Sequence, residues 1–516
     1  MTLLSVLVAL LPIILIFLLL TVRRTAADIA GLIGWVATVL VAWLYFQTPL
    51  QVTFLASLSG LFASLPIALV VATSIFQITV MMETGAMARV VALLKTIAPR
   101  DQVVQIMLIN VGAGTLLAAL GSTPVSILPP ILLALGYTPF VAIALPAIGY
   151  DALCTYALLG TPVVVFSNFV GLPVTEVGGY FARYMPIIST CIAFGMLWIV
   201  GRWKLVWKGL VPTLIAGLTA GLIAIGMNAA GLVTLTGVAA GLGVILVMLA
   251  YLKLTGRPIL DRSVQTDADR VAETRLSLWA ALSPWLILTL FSLIINTPAL
   301  PFFDLLFKQL AMPLEIIPGA PEKLRVFWQA YFWILISTLI ALPFMKTTRS
   351  QLAASLRKWS KRAPRPMLAA GVFFAIAYVI NHSGKTLDWQ LVDPNLNMVQ
   401  LLAGAAADGF GRLYPLVSPF LGLLAGFISG SEASALAMLT QINLSTAERI
   451  GAIGLLVAAS SGIGGGLASV ISPAKLQNAA ASIDRIGEES RVIFTAFVIS
   501  IVITIIAAVL TLIWAF

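Results

Sequence analysis

The sequence predicts an all-α polytopic membrane protein, with about 12 transmembrane helices and two re-entrant hairpins set in inverted repeats. Three observations carry this reading. Of 516 residues, 60% are hydrophobic and 10% charged, against about 45–50% and about 25% in soluble proteins. Uncharged runs long enough to cross a bilayer, about 20 residues, recur from Thr2–Thr21 to Val492–Phe516. In each half, an apolar block interrupted by a Gly-Ser tip is followed by a long segment interrupted at Thr-Pro or Ser-Pro.

The net charge of +10 sits in a few loops: residues 346–365 hold seven Lys/Arg and no acid, and residues 202–208 hold three more. Basic loops of this kind set topology and touch lipid head groups, so no nucleic-acid partner is expected. Cys154 and Cys191 lie in apolar spans as small core residues, with no disulfide framework or metal cluster implied. HExxH and Cys/His metal spacings are absent, and a single histidine leaves no room for a histidine-rich haem or di-iron site. GxSxG and Walker motifs are missing from their required context. An enzyme is therefore not expected, and no cofactor or metal is called for.

Taken in order, the first run, 3–21, has no basic residue before it and Arg23–Arg24 after it. It reads as a retained span, with the N-terminus outside. Spans 27–46 and 60–82 bring the chain to Glu83 on the cytoplasmic side, and residues 86–98, with Arg89 and Lys95 on a largely apolar helix, suit the interface. The block 102–136 is interrupted at Gly121-Ser122-Thr123-Pro124. It is either two ordinary spans or a re-entrant hairpin. Irregular backbone at mid-membrane depth survives only where protein buries it or it lines a wet cavity, so the hairpin reading makes Gly121, Ser122 and Thr123 site residues. Segment 139–170 breaks at Gly160-Thr161-Pro162, and span 181–201 ends the first repeat.

Residues 202–275 form a linker, with spans 209–227 and 231–253 and a loop of five Lys/Arg and four acids. Spans 276–297 and 326–345 lead to the seven-basic stretch, and span 366–382 leads outside to His382, Lys385, Asp388, Asp393 and Asp408. Hairpin 412–443 breaks at Gly430-Ser431-Glu432-Ala433-Ser434, segment 448–482 at Ile471-Ser472-Pro473, and span 492–515 leaves the C-terminus outside. From tip to following break is 40 residues in the first half (Gly121 to Thr161) and 42 in the second (Gly430 to Ser472). Two linker spans and an odd number of crossings in each half make this an inverted repeat, 1–201 (scaffold spans within 1–82) against 276–516. On this topology 22 of the 30 Lys/Arg are cytoplasmic and six external, as the positive-inside rule requires.

Inverted repeats with two discontinuous helices describe secondary transporters, whose unwound backbone and half-helix ends bind substrate and coupling ion. Half-helix N-termini favour an anion. Hydroxyls at the breaks come from Ser122, Thr123, Thr161, Ser431, Ser434 and Ser472, with few fixed cations nearby. A small carboxylate fits this better than a polyanion, which would call for Arg/Lys clamps.

Several stretches carry a family resemblance: ALGSTPVSILPP and GYDALCTYALLGTP within residues 112–165, NHSGKT (Asn381–Thr386), SPFLGLLAGFISGSEASALAM (Ser418–Met438) and ISPAKLQNAAAS (Ile471–Ser482). In these the chain resembles the lactate permease family. The resemblance implies a permease of the bacterial or archaeal plasma membrane that takes up L-lactate, D-lactate or glycolate with protons. It also implies elevator-like movement of a transport domain, and a homodimer. The runner-up is a sodium-coupled di- or tricarboxylate symporter, with an anion channel or a scaffold behind it.

Charges inside spans are costly and mark pathways or relays. Asp151, near the middle of segment 139–170, ranks first as proton carrier, followed by Glu432 at the second tip; His382 is the single histidine and could titrate near neutral pH.

Overall fold

The computed structural model describes residues 3–516 except 24, 99–100, 122–123, 297–299, 470, 473–474, 477–478, 481, 484 and 486–487. Helix makes up 81% of the chain, and among the described residues ten helical stretches are long and apolar enough to cross a membrane. The sequence reading expects about twelve; five further apolar stretches among the described residues, Leu3–Leu19, Asp28–Leu44, Pro139–Gly149, Ala330–Ala341 and Gly454–Ser469, fall short of that length.

The chain opens with α1 (Leu3–Thr21), α2 (Ala27–Leu44), α3 (Leu50–Thr84) and α4 (Ala86–Thr96). Gly85, at φ 82°, closes α3 and turns directly into α4, a left-handed position that favours glycine. Asp101 then accepts the Val104 N–H at 3.2 Å and caps α5 (Gln102–Ile106). A π-helical stretch, Met107–Ala113, continues it into α6 (Gly114–Ala119), and α7 (Pro124–Ala134) returns. Next come α8 (Pro139–Gly149), a 3₁₀ segment Tyr150–Tyr156, α9 (Ala157–Val170), α10 (Val174–Ala182) and α11 (Met185–Lys208). The linker supplies α12 (Leu210–Ala229), α13 (Thr236–Leu254) and α14 (Asp267–Arg275).

The second half contains α15 (Leu278–Asn296), β1 (Met312–Ile317), β2 (Ala320–Leu324), α16 (Ala330–Ala341), α17 (Arg349–Arg362) and α18 (Pro364–His382). It closes with α19 (Met398–Phe410), α20 (Tyr414–Ser429), α21 (Glu432–Ile450), α22 (Gly454–Ser469) and α23 (Glu489–Trp514). Two features depart from the all-α reading with its basic loop. Residues 312–324 form an antiparallel hairpin that turns at Gly319 (φ 74°), whose N–H binds the Glu315 carboxylate at 2.7 Å. The seven-basic stretch is mostly helix, α17, opened by a capping box between Thr348 and Gln351.

Large apolar side chains are exposed along α1, α2, α12 and α23, as lipid-facing surfaces require, and Trp203, Trp207 and Trp279 add exposed aromatics beside basic segments. Five ion pairs fix one end of the molecule. They join Asp28 to Arg365 (2.8 Å), Glu83 to Lys358, Arg89 to Glu273 (3.1 Å), Lys95 to Asp269 (2.8 Å) and Asp101 to Arg257. All ten partners belong to segments that the charge pattern assigns to one side.

Glycine permits the tightest helix contacts. A Cβ on Gly60 of α3 would meet the Phe374 carbonyl oxygen of α18 at 2.7 Å. Between α20 and α22 the approach is closer still: Cβ atoms on Gly422, Gly426 and Gly464 would overlap the carbonyl oxygens of Ser461, Gly465 and Pro419. Small residues let helix backbones meet in this way where lipid gives no hydrophobic drive to association.

Gly426→Val should lower stability by about 1–3 kcal/mol or more, read as a fall in thermal unfolding temperature in detergent. Gly226→Ala, whose added Cβ meets nothing within 4 Å, should stay within about 0.5 kcal/mol of the wild type.

Burial acts to raise the Asp269 carboxyl, but hydrogen bonds from Lys95 and Thr266 outweigh it and hold the group below the usual carboxylate range. A group depressed in the fold stabilises above its unfolded pKa, about 3.9, and loses that contribution as pH falls through the folded value. Asp269→Asn should therefore cost about 1.5–3 kcal/mol at pH 7, and the difference from wild type should close as pH drops below 4.

Candidate functional site

The second hairpin tip and the segment broken beside it build the site. Helix α20 stops because Gly430 turns left-handed at φ 65°, and Ser431 caps α21, its Oγ accepting the Ser434 N–H at 3.3 Å. Glu432 thus becomes the first residue of α21, only 3% exposed. Its Oε1 accepts the Thr155 hydroxyl at 2.7 Å. Its Oε2 makes no hydrogen bond of ordinary geometry among the described residues, and lies where a Cβ on Gly466 would be, 2.6 Å away. The carboxylate fits because α22 carries glycine there.

Helix α22 ends at Ser469, whose hydroxyl is 3.7 Å from the Cys154 sulfur. Beyond the break, the Ser472 carbonyl accepts the N–H groups of Lys475 and Leu476, both at 3.1 Å, which starts a new helical turn. A Cβ on Gly430 would stand 3.0 Å from the Ser472 hydroxyl, so hairpin tip and helix break touch. Three buried polar atoms of the first turn of α21 and of the break, Glu432 Oε2, Ser434 Oγ and Ser472 Oγ, make no hydrogen bond of ordinary geometry among the described residues. Buried polar groups are normally paired; a cluster of unpaired ones is a place made for something else.

The first half contributes its own break to the same place. Residues Tyr150–Tyr156 are 3₁₀, Leu153 leaves helical geometry (φ −143°, ψ 42°), and Leu158, Leu159 and Gly160 are left-handed at φ 54°, 55° and 73°. Two leucines in that region store strain, about 1–3 kcal/mol each. The sequence places this break at Gly160-Thr161-Pro162 and attributes it to proline; Gly160 does belong to it, but the irregular backbone runs from Leu158 to Gly160 and ends before Thr161. Pro162 starts the resumed helix, where a missing N–H costs nothing. The Tyr156 hydroxyl pins the break by donating to the Gly178 carbonyl at 3.2 Å and accepting from Asn228 at 3.0 Å.

The structure therefore brings Gly430, Ser431, Glu432, Ser434 and Ser472 together and adds Thr155 to them. Thr161 is buried, its hydroxyl bound to the Leu158 carbonyl at 2.6 Å, and neighbouring Gly160 packs against Thr234. At the first tip, Gly121 (φ 85°) abuts Ile334 of α16 and the Ser74 hydroxyl of α3, while Ser122 and Thr123 lie outside the described residues. Asp151 belongs by its backbone to the 3₁₀ segment; its side chain is also outside the described residues. His382 sits at the end of α18, Nδ1 2.9 Å from the Tyr378 carbonyl oxygen, stacked on Tyr378 and edge-on to Trp389. Tyr378 in turn donates to Glu322 of the β-hairpin, so His382 shares its surroundings with that hairpin.

The sequence reading does not single out Thr155, Cys154 as a site neighbour or Lys475, and it takes Gly462–Gly466 only as a run of small residues for close helix contact. Lys475 carried a usable signal: with Arg183 it is one of two Lys/Arg left inside spans once loops are assigned.

A bundle of apolar spans that buries an acid and unpaired hydroxyls where helices end is a polytopic membrane transport protein. The chain belongs to the L-lactate permease family, whose family model matches residues 5–516. It is 26% identical over 562 residues to the glycolate permease GlcA of Escherichia coli strain K12, spanning 99% of this chain and 96% of the relative. The L-lactate permease of Salmonella typhimurium strain LT2 is 25% identical over 552 residues, again with 99% and 96% covered. The solved YdaH transporter of Alcanivorax borkumensis superposes with a TM-score of 0.44 at 13% identity, over 89% of this chain and 87% of that one, below the level at which a shared fold follows.

Thr155→Val removes the hydrogen bond that Glu432 Oε1 receives from Thr155, which should lower stability by about 1.5–3 kcal/mol. Thermal unfolding of Thr155→Val, Glu432→Gln and the double variant should show coupling between the two sites, with the double variant costing less than the sum.

Proposed function

We propose that the protein imports small monocarboxylates, lactate, glycolate or a related 2-hydroxy acid, by proton symport. The unpaired cluster of Glu432 Oε2, Ser434 Oγ and Ser472 Oγ at the tip-to-break contact carries the proposal. Hydroxyls and a helix N-terminus receive the carboxylate, and the relatives' printed names, glycolate permease and L-lactate permease, support the size and charge of the substrate. On this reading residues 1–201 and 276–516 are inverted repeats, both hairpins are re-entrant, and the ion-paired end of the molecule faces the cytoplasm. An elevator-like displacement, two copies assembled as a dimer and a prokaryotic plasma membrane complete it. Glu432 carries the proton in preference to Asp151, because its carboxylate has a donor, Thr155, on one oxygen and no hydrogen bond of ordinary geometry among the described residues on the other.

Proteoliposomes with separate proton and sodium gradients test this with radiolabelled L-lactate and glycolate. A proton gradient alone should drive accumulation. Drive by sodium alone, with citrate or succinate as cargo, would replace the proposal with the di- and tricarboxylate reading. Ser434→Ala and Ser431→Ala should each weaken apparent affinity by about tenfold or more. Glu432→Gln should abolish gradient-driven accumulation yet keep exchange, since exchange needs no net proton movement; if Asp151→Asn does this and Glu432→Gln does not, the proton belongs to Asp151.

A further inference from the structure

We infer that Lys475 is a charge partner that Glu432 and the substrate carboxylate hold in turn, so that anion and proton can enter only together. The inference rests on the carboxylate site proposed above and gives it a coupling rule.

The geometry brings the cation to the acid. Ser472 touches the tip glycine Gly430, two residues before Glu432, and the turn that starts at Ser472 places Lys475 one turn beyond. Lys475 lies close enough to act on the Glu432 carboxylate electrostatically. Among the described residues, the ionisable groups that face Glu432 are Cys154 and Tyr156 from the 3₁₀ segment and Lys475 from beyond the break, while α22 presents Gly466. Of these, Lys475 alone is a cation.

Charge balance then sets the rule. An isolated charge in a desolvated site is expensive, and a pair is far less so. With the site empty, Lys475 and Glu432 sum to zero. A carboxylate arriving alone would leave one negative charge in excess, and a proton alone would leave one positive charge in excess. When both arrive, protonated Glu432 is neutral, Lys475 passes to the substrate carboxylate, and the sum is again zero. Binding of each therefore strengthens binding of the other by the same factor.

Equilibrium binding of radiolabelled L-lactate to purified protein across pH 5–9 tests this, with size-exclusion profiles and thermal unfolding to establish that each variant is folded. In the wild type, affinity should fall by about tenfold per pH unit once Glu432 ionises, one proton per anion. Glu432→Gln should bind with a flat pH profile, and Lys475→Gln should bind about tenfold or more weakly with its slope lost. Lys475→Arg should restore both affinity and slope, a result that a merely structural lysine does not require. A folded Lys475→Gln protein with wild-type affinity and wild-type slope would overturn the inference while leaving the carboxylate site standing. Wild-type protein that binds neither lactate nor glycolate at any pH would instead overturn the site itself.

Discussion

Where α20 and α22 run together, no side chain separates them. Gly422, Gly426 and Gly464 set carbonyl oxygen against Cα across the interface, and everything at the site follows from that closeness. Because α20 lies flat on α22, its end at Gly430 reaches the Ser472 break, and the first turn of α21 delivers Glu432 over Gly466. Bulkier residues would hold the helices at the ordinary separation of about 8–10 Å, lifting the tip from the break. The glycines that look like filler in the sequence act here as a length standard.

The polar site has no other source of precision. In an apolar medium the backbone must satisfy itself, and the few places where it does not are held by specific hydrogen bonds. Tyr156, Gly178 and Asn228 brace the first break, and Ser431 braces the second tip. At the far end, ion pairs join α4 to α14, while α12 and α13 lie directly on the first half, Gly217 against Thr190, Gly221 against Pro186 and Gly241 against Leu116.

The two interruptions were legible because polar and small residues inside an apolar block have few reasons to be there: Gly121 and Gly430 both take positive φ between two helices. Break positions were less legible. Proline is a visible stop signal, and it drew the first break to Pro162, whereas three left-handed residues before it, two of them leucine, carry no signature that a residue type could give. Thr155 looked like one more small polar residue in a span; its partner stands 277 residues away. The β-hairpin was hidden by its own composition, since Met312–Ile317 is apolar with a single acid and its pairing with Ala320–Leu324 depends on a turn at Gly319. Thr155 and Ser472 join Gly430, Ser431, Glu432 and Ser434 only once distance replaces spacing.

The α20–α22 seam has a consequence for how this protein can change over generations. Any single nucleotide change that alters a glycine at 422, 426 or 464 introduces a side chain or a stop, and each side chain begins with a Cβ that the facing carbonyl already excludes. Those positions are therefore closed to drift. The hydroxyls at 431, 434 and 472 are not bound by such a constraint, since serine, threonine, alanine and cysteine all fit a helix start or turn. If the proposed site holds, a new cargo is reached by exchanging hydroxyls on an unchanged glycine frame.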